Sequence, residues 1–412
     1  MPPLRLDALP RHLARSVSRA RSLARERRAL LYIAGGAVRD LLLGRRVVDV
    51  DLVVETDAAG FARELARRLG ATWKLHGRFG TAVLELPEGG RIDLATARTE
   101  DYEQAGALPR VRAGSIEDDL ARRDFTINAM AVEIASAKAP PLLDPFAGRN
   151  DLRRRLVRML DPRSPYDDPT RAFRAVRYAN RLGFRIERRT REWIRTAVRD
   201  GVVDAVSGDR LRREVALLFS ETDRAAAVRR MERLGLAAAI HPDLRFDADV
   251  ARRLRAAERI AGRNDLRASW LLYLLAWMGG PTEETARTVA ARLNLPGRAA
   301  RVVRAWPRTG RALALADCDS PSKLAAKLEE LSDDELIAAA AMFPPAGRRK
   351  VLAARRALPG LRLRIRGKDL VAAGVPPGPA IGRALSATLS ARRDGSIRPD
   401  EELEFALEAA RS

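Results

Sequence analysis

The chain has 412 residues and a formal net charge of +22, from 76 Lys and Arg against 54 Asp and Glu, with 46% hydrophobic residues. That length calls for two to four compact units, and that apolar content excludes wholesale disorder. One cysteine, Cys318, and three scattered histidines, His12, His76 and His241, argue against a disulfide framework, a cysteine or histidine zinc site and a His-dependent triad.

In chain order, residues 11–28 are Arg-rich. They could imitate a transit peptide but read better as an amphipathic helix leading into a strand. No apolar h-region of a secretory signal precedes them, so the cytoplasm is the expected compartment. Short β-like runs follow at Leu31–Ala34, Val47–Val54, Thr81–Leu86, Arg91–Ala97 and Ala129–Ile134, with a helix over Ala59–Leu69. From about residue 150 the pattern is helical. Amphipathic helices are predicted at Leu211–Phe219, Ala225–Leu234, Asp249–Ile260, Thr282–Leu293, Lys323–Leu331 and Asp334–Met342, with turns marked by Gly280–Pro281, Pro296–Gly297, Pro344–Pro345 and Pro376–Pro379. Trp270–Met278 is too short to span a bilayer and reads as a buried helix. The fold class is α+β: a small head with a mixed sheet, then a long helical remainder.

Four segments could carry chemistry. Leu31–Gly44 runs from a strand through Gly35-Gly36 into a helix that Gly44 can end. Such glycines let a phosphate approach the backbone, the helix start offers N–H groups, and Arg39 could reach the same anion. A strand–glycine–helix is also simply a tight turn. Asp49 and Asp51 lie two apart on an apolar strand, so their Cα atoms are about 6–7 Å apart on one face. Such a pair can share divalent cations, whose oxygens clamp phosphoryl transfer; a solvated strand face is the alternative. In Glu117–Ala129, Arg122 and Arg123 precede an apolar strand; Arg123 could hold phosphate or ribose, with Asp124 and Asn128 orienting it, and taken alone the string reads equally as a surface salt-bridge cluster. In Tyr166–Ala179, Asp168 before Pro169 is a good helix start, and Arg171, Arg174 and Arg177 recur every third residue. A fan of three arginines suits anions, although a solvated basic face would look the same. The net charge points to a polyanion, nucleic acid or nucleotide phosphates, and compositional bias could also produce it.

Together the strings GGAVRDLLLG, DVD, RRDFTINAMA, LLDPFAGRNDLRRR and DDPTRAFRAVRYANRLGF resemble, in order and approximate spacing, the bacterial class II tRNA nucleotidyltransferases, or CCA-adding enzymes, and their poly(A) polymerase relatives. The resemblance is strong over residues 30–220. Looser likeness follows at Ser207–Glu214, Leu234-Gly235 with His241-Pro242, and Gly367–Gly382. It implies a polymerase-β-like nucleotidyltransferase head at 1–145, a nucleotide-selecting neck at 146–225, a helical body at 226–360 and a tRNA-binding tail at 361–412. It implies Mg²⁺ on Asp49 and Asp51 as the catalytic pair, with Asp93 a possible third carboxylate. It further implies triphosphate contacts from Gly35, Gly36 and Arg39, a nucleotide contact from Arg123, and a pocket of Asp168, Arg171, Arg174 and Arg177.

The implied reaction is addition of C and A from CTP and ATP to a tRNA 3′ end, by a monomer without membrane attachment. Cytosine and adenine both show an amino donor beside a ring-nitrogen acceptor. Asp168 can accept from the first and Arg171 can donate to the second; uracil and guanine reverse the pattern. Where the family commonly has Glu-Asp, this chain has Asp167-Asp168. The 98–118 stretch falls where the family keeps a flexible element tied to A addition. Enzymes adding only CC or only A, a poly(A) polymerase, and a catalytically dead RNA-binding protein are the competing expectations.

Overall fold

The computed structural model describes residues 6–76, 80–104, 106–107, 109–135, 141–263, 268–314, 321–329, 331–357 and 361–411. Cys318 and residues 77–79 lie outside them. The chain divides into two compact units, residues 1–214 with 233–239, and residues 215–232 with 240–412.

In the first unit, α1 (Arg11–Glu26) buries Leu13, Val17, Ala20, Leu23 and Ala24, a stripe at helical spacing. The strands β1 (Leu31–Ala34), β2 (Asp49–Val54), β3 (Thr72–His76), β4 (Thr81–Glu85) and β5 (Arg91–Thr96) follow. A hairpin, β6 (Arg98–Asp101) and β7 (Arg110–Ala113), precedes β8 (Ala131–Glu133) and β9 (Leu142–Leu143). Seven strands form one mixed sheet in the order β3-β4-β5-β2-β1-β8-β9, in which only the β2–β5 pair is parallel. Two helices interrupt the early strands, α2 (Gly36–Leu42) and α3 (Ala58–Leu69). The sequence sets α3 at both ends. Asp57 accepts from the N–H groups of Ala59 (2.9 Å) and Gly60 (3.0 Å), and Gly70 closes the helix at φ +61°.

The two sheet faces differ. Val50, Leu52 and Val54 share the apolar face with Ile92, Leu94, Ala82 and Leu84, and α3 packs there through Phe61, Ala62 and Leu65. Each such side chain contributes about 1.5–3 kcal/mol by leaving water. Asp49, Asp51 and Val53 face the other way. There α4 (Ile116–Ala121) packs Ile116 and Leu120 onto Tyr32, Ala34, Val53, Ala97 and Ala131. That helix covers the β1–β8 half of the face and leaves the Asp49 end uncapped.

Pairing in β2 begins at Asp49, two residues later than expected from the apolar run, and Val48 is 65% exposed. The 98–118 stretch, expected as a flexible element, contains the β6–β7 hairpin. Its strands, Arg98–Asp101 and Arg110–Ala113, carry no apolar alternation; charge pairs such as Arg112–Asp101 join them instead. The rest of the first unit is mostly helical, with α5 (Gly148–Arg154), α6 (Ser164–Asp167), α7 (Thr170–Leu182), α8 (Arg188–Arg199) and α9, Gly208–Ser220, whose last turns belong to the second unit; a short parallel pair, Leu156–Val157 with Arg185–Ile186, lies among them.

The second unit is all helix among the described residues. The expected elements appear as Arg224–Leu234, Ala248–Arg263, Trp270–Met278, Glu283–Arg292, Pro321–Glu329 and Asp333–Met342. Leu271 to Trp277 are all buried, as the apolar run requires. Trp277 packs edge-on against Phe219 at 6.0 Å and donates its indole N–H to the Arg245 carbonyl at 3.0 Å. A smaller core of Leu370, Ala384 and Ala406 holds the last three helices together. No helix among the described residues is long and apolar enough to cross a membrane. Trp277→Ala should cost the second unit about 3–5 kcal/mol by opening a cavity, read as a lower urea midpoint.

Candidate active site

The parallel β2–β5 ladder sets Asp51 directly across from Asp93, and Asp49 across from Arg91. Cross-strand partners share a face, so three carboxylates gather at one end of the sheet. Their burial is uneven. The expectation of a buried pair holds for Asp51, which is half-buried, and not for Asp49, which is exposed because the strand begins there. Burial pushes the Asp51 carboxyl above its ordinary pKa, with Asp93 and Asp49 adding to the rise and Arg123 opposing it. Arg91 donates to Asp93 at 2.7 Å. Among the described residues no group of three or more His, Cys, Asp or Glu is arranged to hold a metal ion by itself. The oxygen-only donors suit a hard divalent cation that keeps water and substrate phosphates as further ligands.

Gly35 closes this end from β1. Its φ of +71° lies in the left-handed region, and a Cβ there would collide with Arg123 Nη1 and lie 3.1 Å from Asp51 Oδ2. The glycine is therefore required on two grounds, and the cradle its missing side chain leaves beside Asp51 is occupied by Arg123 Nη1. The following helix, α2, has only seven residues, and the Gly35 N–H already donates to Met130 O at 3.0 Å. The positive charge at the turn comes instead from guanidinia. Arg39 is 3% exposed, with Nη2 3.6 Å from a Cβ placed on Gly36. It donates to Asp40 (2.9 and 2.8 Å) and to Asn128 Oδ1 (2.7 Å). Three of its five N–H groups are so engaged.

Arg123 is anchored differently from the expectation. Asp119 holds it, at 3.2 Å from Nε and 2.9 Å from Nη2, and holds Arg122 with its other oxygen, at 2.6 Å from Nη2. Asp119 has no exposed surface. Burial alone would raise its pKa; the two arginines outweigh that and hold it below the ordinary carboxylate range. Asp124 and Asn128 orient other arginines: Asp124 takes Arg174 at 2.7 and 2.6 Å and Asn128 Nδ2 at 3.0 Å, while Asn128 takes Arg39. Arg123 retains only a 3.3 Å bond to the Asn128 carbonyl from this pair.

Helix α7 presents the remaining candidates. Asp168 starts it: Oδ1 accepts from Thr170 N (2.9 Å), Thr170 Oγ1 (2.6 Å) and Arg210 Nη2 (2.7 Å). Its Oδ2 keeps its acceptor capacity. The three arginines do not form one solvated face. Arg171 and Arg177 are 8% and 6% exposed. Arg171 donates to Ser164 Oγ (3.0 Å), the Arg122 carbonyl (2.7 Å) and, weakly, Tyr102 OH (3.5 Å), which leaves Nε open. Arg177 Nε and Glu214 Oε2 are buried without a hydrogen bond and stand 3.7 Å apart; burial pushes Glu214 above its ordinary pKa. Burial also raises Asp167, the residue standing where the family commonly has Glu.

Several positioning groups escaped the sequence reading. Asp119 was visible as spacing, three and four residues before Arg122 and Arg123 on one helix turn. Arg210 lay in a string that looked familiar, with no role. Tyr102, Ser164 and Tyr178 gave no local signal, because their partners are distant in sequence.

A family model described as the poly A polymerase head domain matches residues 31–158, and one described as a probable RNA and SrmB-binding site of polymerase A matches residues 183–247. The CC-adding tRNA nucleotidyltransferase of Deinococcus radiodurans is 32% identical over 92% of this chain and 89% of its own length. The chain belongs to the tRNA nucleotidyltransferase and poly(A) polymerase family. The A-adding tRNA nucleotidyltransferase of Geobacter sulfurreducens is 33% identical over 98% of this chain, which spans only about half of that relative (48%). The solved Thermotoga maritima CCA-adding enzyme complexed with tRNA is 28% identical, with a TM-score of 0.82, covering 98% of this chain and 96% of that one.

Within this nucleotidyltransferase-family head, Asp119→Asn should cost about 3–5 kcal/mol at neutral pH, because two half-buried guanidinia then face a neutral amide. The folded pKa of Asp119 is depressed, so its contribution is present above about pH 4 and lost as pH falls through the folded value. Urea midpoints against pH should therefore show a shallower acid decline in the variant than in the parent.

Proposed function

We propose that this chain adds C, A or both to the 3′ end of tRNA from CTP and ATP, releasing pyrophosphate. One observation carries the reading: three carboxylates end the sheet beside a glycine turn that no side chain could occupy, under the guanidinia of Arg123 and Arg39. That is a place for a triphosphate next to an oxygen-only ligand set. The two named relatives, one CC-adding and one A-adding, leave the choice of nucleotide to assay. A head, neck, body and tail at residues 1–145, 146–225, 226–360 and 361–412, acting in the cytoplasm as a monomer, accompany this proposal.

Asp49 and Asp51, with Asp93 alongside, would hold a divalent cation, and we assign Mg²⁺. The hard-oxygen donors fit it. When bound, such a cation stabilises charge on phosphoryl oxygens and promotes ionisation of a nearby hydroxyl. The protein's own groups do the remainder. Gly35 and Gly36 let the triphosphate approach the backbone. Arg39 and Arg123 donate to its oxygens. The tRNA 3′-oxygen forms a bond to the α-phosphorus, the bond from that phosphorus to the bridging oxygen breaks, and the hydroxyl proton passes to water. Histidine is not needed.

Base choice would fall to Asp168 and Arg171. The open Oδ2 accepts from the amino group of C or A, and the open Nε donates to the ring nitrogen. Uracil and guanine would leave both wrongly paired in a dry pocket. Arg174 and Arg177 complete the nucleotide pocket.

Incubation with tRNA lacking its 3′ end, or ending in C or CC, with CTP, ATP or both, should extend the product by defined single nucleotides on sequencing gels. Asp49→Ala or Asp51→Ala should abolish extension and leave tRNA binding within a fewfold; unchanged extension would overturn the metal assignment. Arg171→Ala should erode the preference for C and A over U and G by about tenfold or more; retained selectivity in single-turnover competition would remove its templating role.

A further inference from the structure

Tyr178, on α7, was assigned no role by motif or spacing. Three guanidinia converge on its ring, with Cζ atoms 5.2 Å (Arg39), 5.7 Å (Arg174) and 5.1 Å (Arg177) from the centroid. Among the described residues no other ring is approached by more than one guanidinium. The ring is fixed from behind by Phe125, fully buried, at 5.5 Å and 73°. That edge-to-face contact is the favoured aromatic geometry.

The three arginines come from two helices, and their carboxylates from three separate places. Asp40 takes Arg39, Asp124 takes Arg174, and Glu214 faces Arg177. Each anion fixes one cation; none gathers all three. Like charges so close repel, and a π-system is the group that attracts cations without neutralising them. The fourth pocket arginine, Arg171, lies over a different ring, Tyr102, at 5.9 Å. The pocket's arginines are thus divided between two aromatic rings.

We infer that Tyr178 is a positioning residue that holds Arg39, Arg174 and Arg177 as one anion-facing cluster and so sets affinity for the phosphates that CTP and ATP share. This rests on the nucleotide pocket proposed above. Base selection, on the Arg171–Tyr102 side, is independent of it. The attraction for all three cations needs the ring and not the hydroxyl, which meets Arg39 in addition; an aliphatic side chain supplies neither.

The test replaces Tyr178 with Leu, with Phe and with a series of progressively fluorinated phenylalanines, which keep the ring's shape and weaken its attraction for cations. Tyr178→Leu should raise KM for CTP and ATP by the same factor, about tenfold or more given two largely desolvated cations. The pyrophosphate inhibition constant should rise in parallel, with tRNA affinity and preference over UTP and GTP unmoved. Tyr178→Phe should restore what Leu loses, and each added fluorine should raise KM further. A flat fluorine series, or a Phe variant as impaired as Leu, overturns the inference. Should Leu fail to fold, the isosteric series still decides. If the parental chain extends no tRNA, the proposed function fails, while equilibrium binding of pyrophosphate across the series still reads Tyr178 by itself.

Discussion

A buried guanidinium must be matched, and the first unit is arranged around that constraint. Asp119, wholly out of water, holds Arg122 and Arg123 at once. Arg122 in turn accepts Arg171 through its backbone carbonyl and meets Glu100 of the β6–β7 hairpin at 2.8 Å. One carboxylate therefore ties together α4, the hairpin and the first turn of α7. A charge without a partner in such surroundings costs several kcal/mol, so these bonds form together or not at all. The same logic recurs at Asp124 with Arg174 and Asp40 with Arg39. The candidate site is thus made rigid by ion pairs more than by apolar packing.

This explains what could be read from the chain and what could not. Local rules sufficed for Leu31–Ala34 and Trp270–Met278, whose apolar runs become elements with those bounds. Period two put Asp49 and Asp51 on one face, and only Gly suits the turn at residue 35. Non-local pairing was out of reach. Asp93 joins Asp51 through a parallel ladder between strands 40 residues apart, which no spacing announces. The β6–β7 hairpin is built from charged strands, and charge pairs carry no periodicity. Asp124 and Asn128 were placed beside the correct arginine in sequence, yet they serve Arg174 and Arg39, which arrive from elsewhere.

Spacing by threes along α7 made Arg171, Arg174 and Arg177 look equivalent. Their surroundings make them different chemical groups. Arg174 is locked on a buried aspartate whose proximity raises its pKa. Arg177 stands near a glutamate that burial renders reluctant to ionise. Arg171 hydrogen-bonds to neutral oxygens only: a hydroxyl, a carbonyl and a phenol. A guanidinium bonded to neutral acceptors keeps more of its charge for a ligand than one neutralised by a carboxylate. That distinction suits Arg171 to reading a base edge and the other two to a shared electrostatic frame.

The +22 net charge invites the inference that the site is strongly cationic. Locally it is not. Arg39 is offset by Asp40, Arg122 and Arg123 by Asp119 with Glu100, and Arg174 by Asp124. The carboxylates of β2 and β5 add further negative charge. The pull on a triphosphate therefore depends on a few unspent N–H donors aimed at a glycine cradle, a short-range effect that salt screens weakly. The surplus charge lies elsewhere on the chain, where it acts on a polyanion through exposed, long-range contacts that salt screens strongly. On the function proposed above, nucleotide affinity and RNA affinity would rest on different physics in one molecule, so rising ionic strength should weaken a hold on RNA long before it loosens a nucleotide.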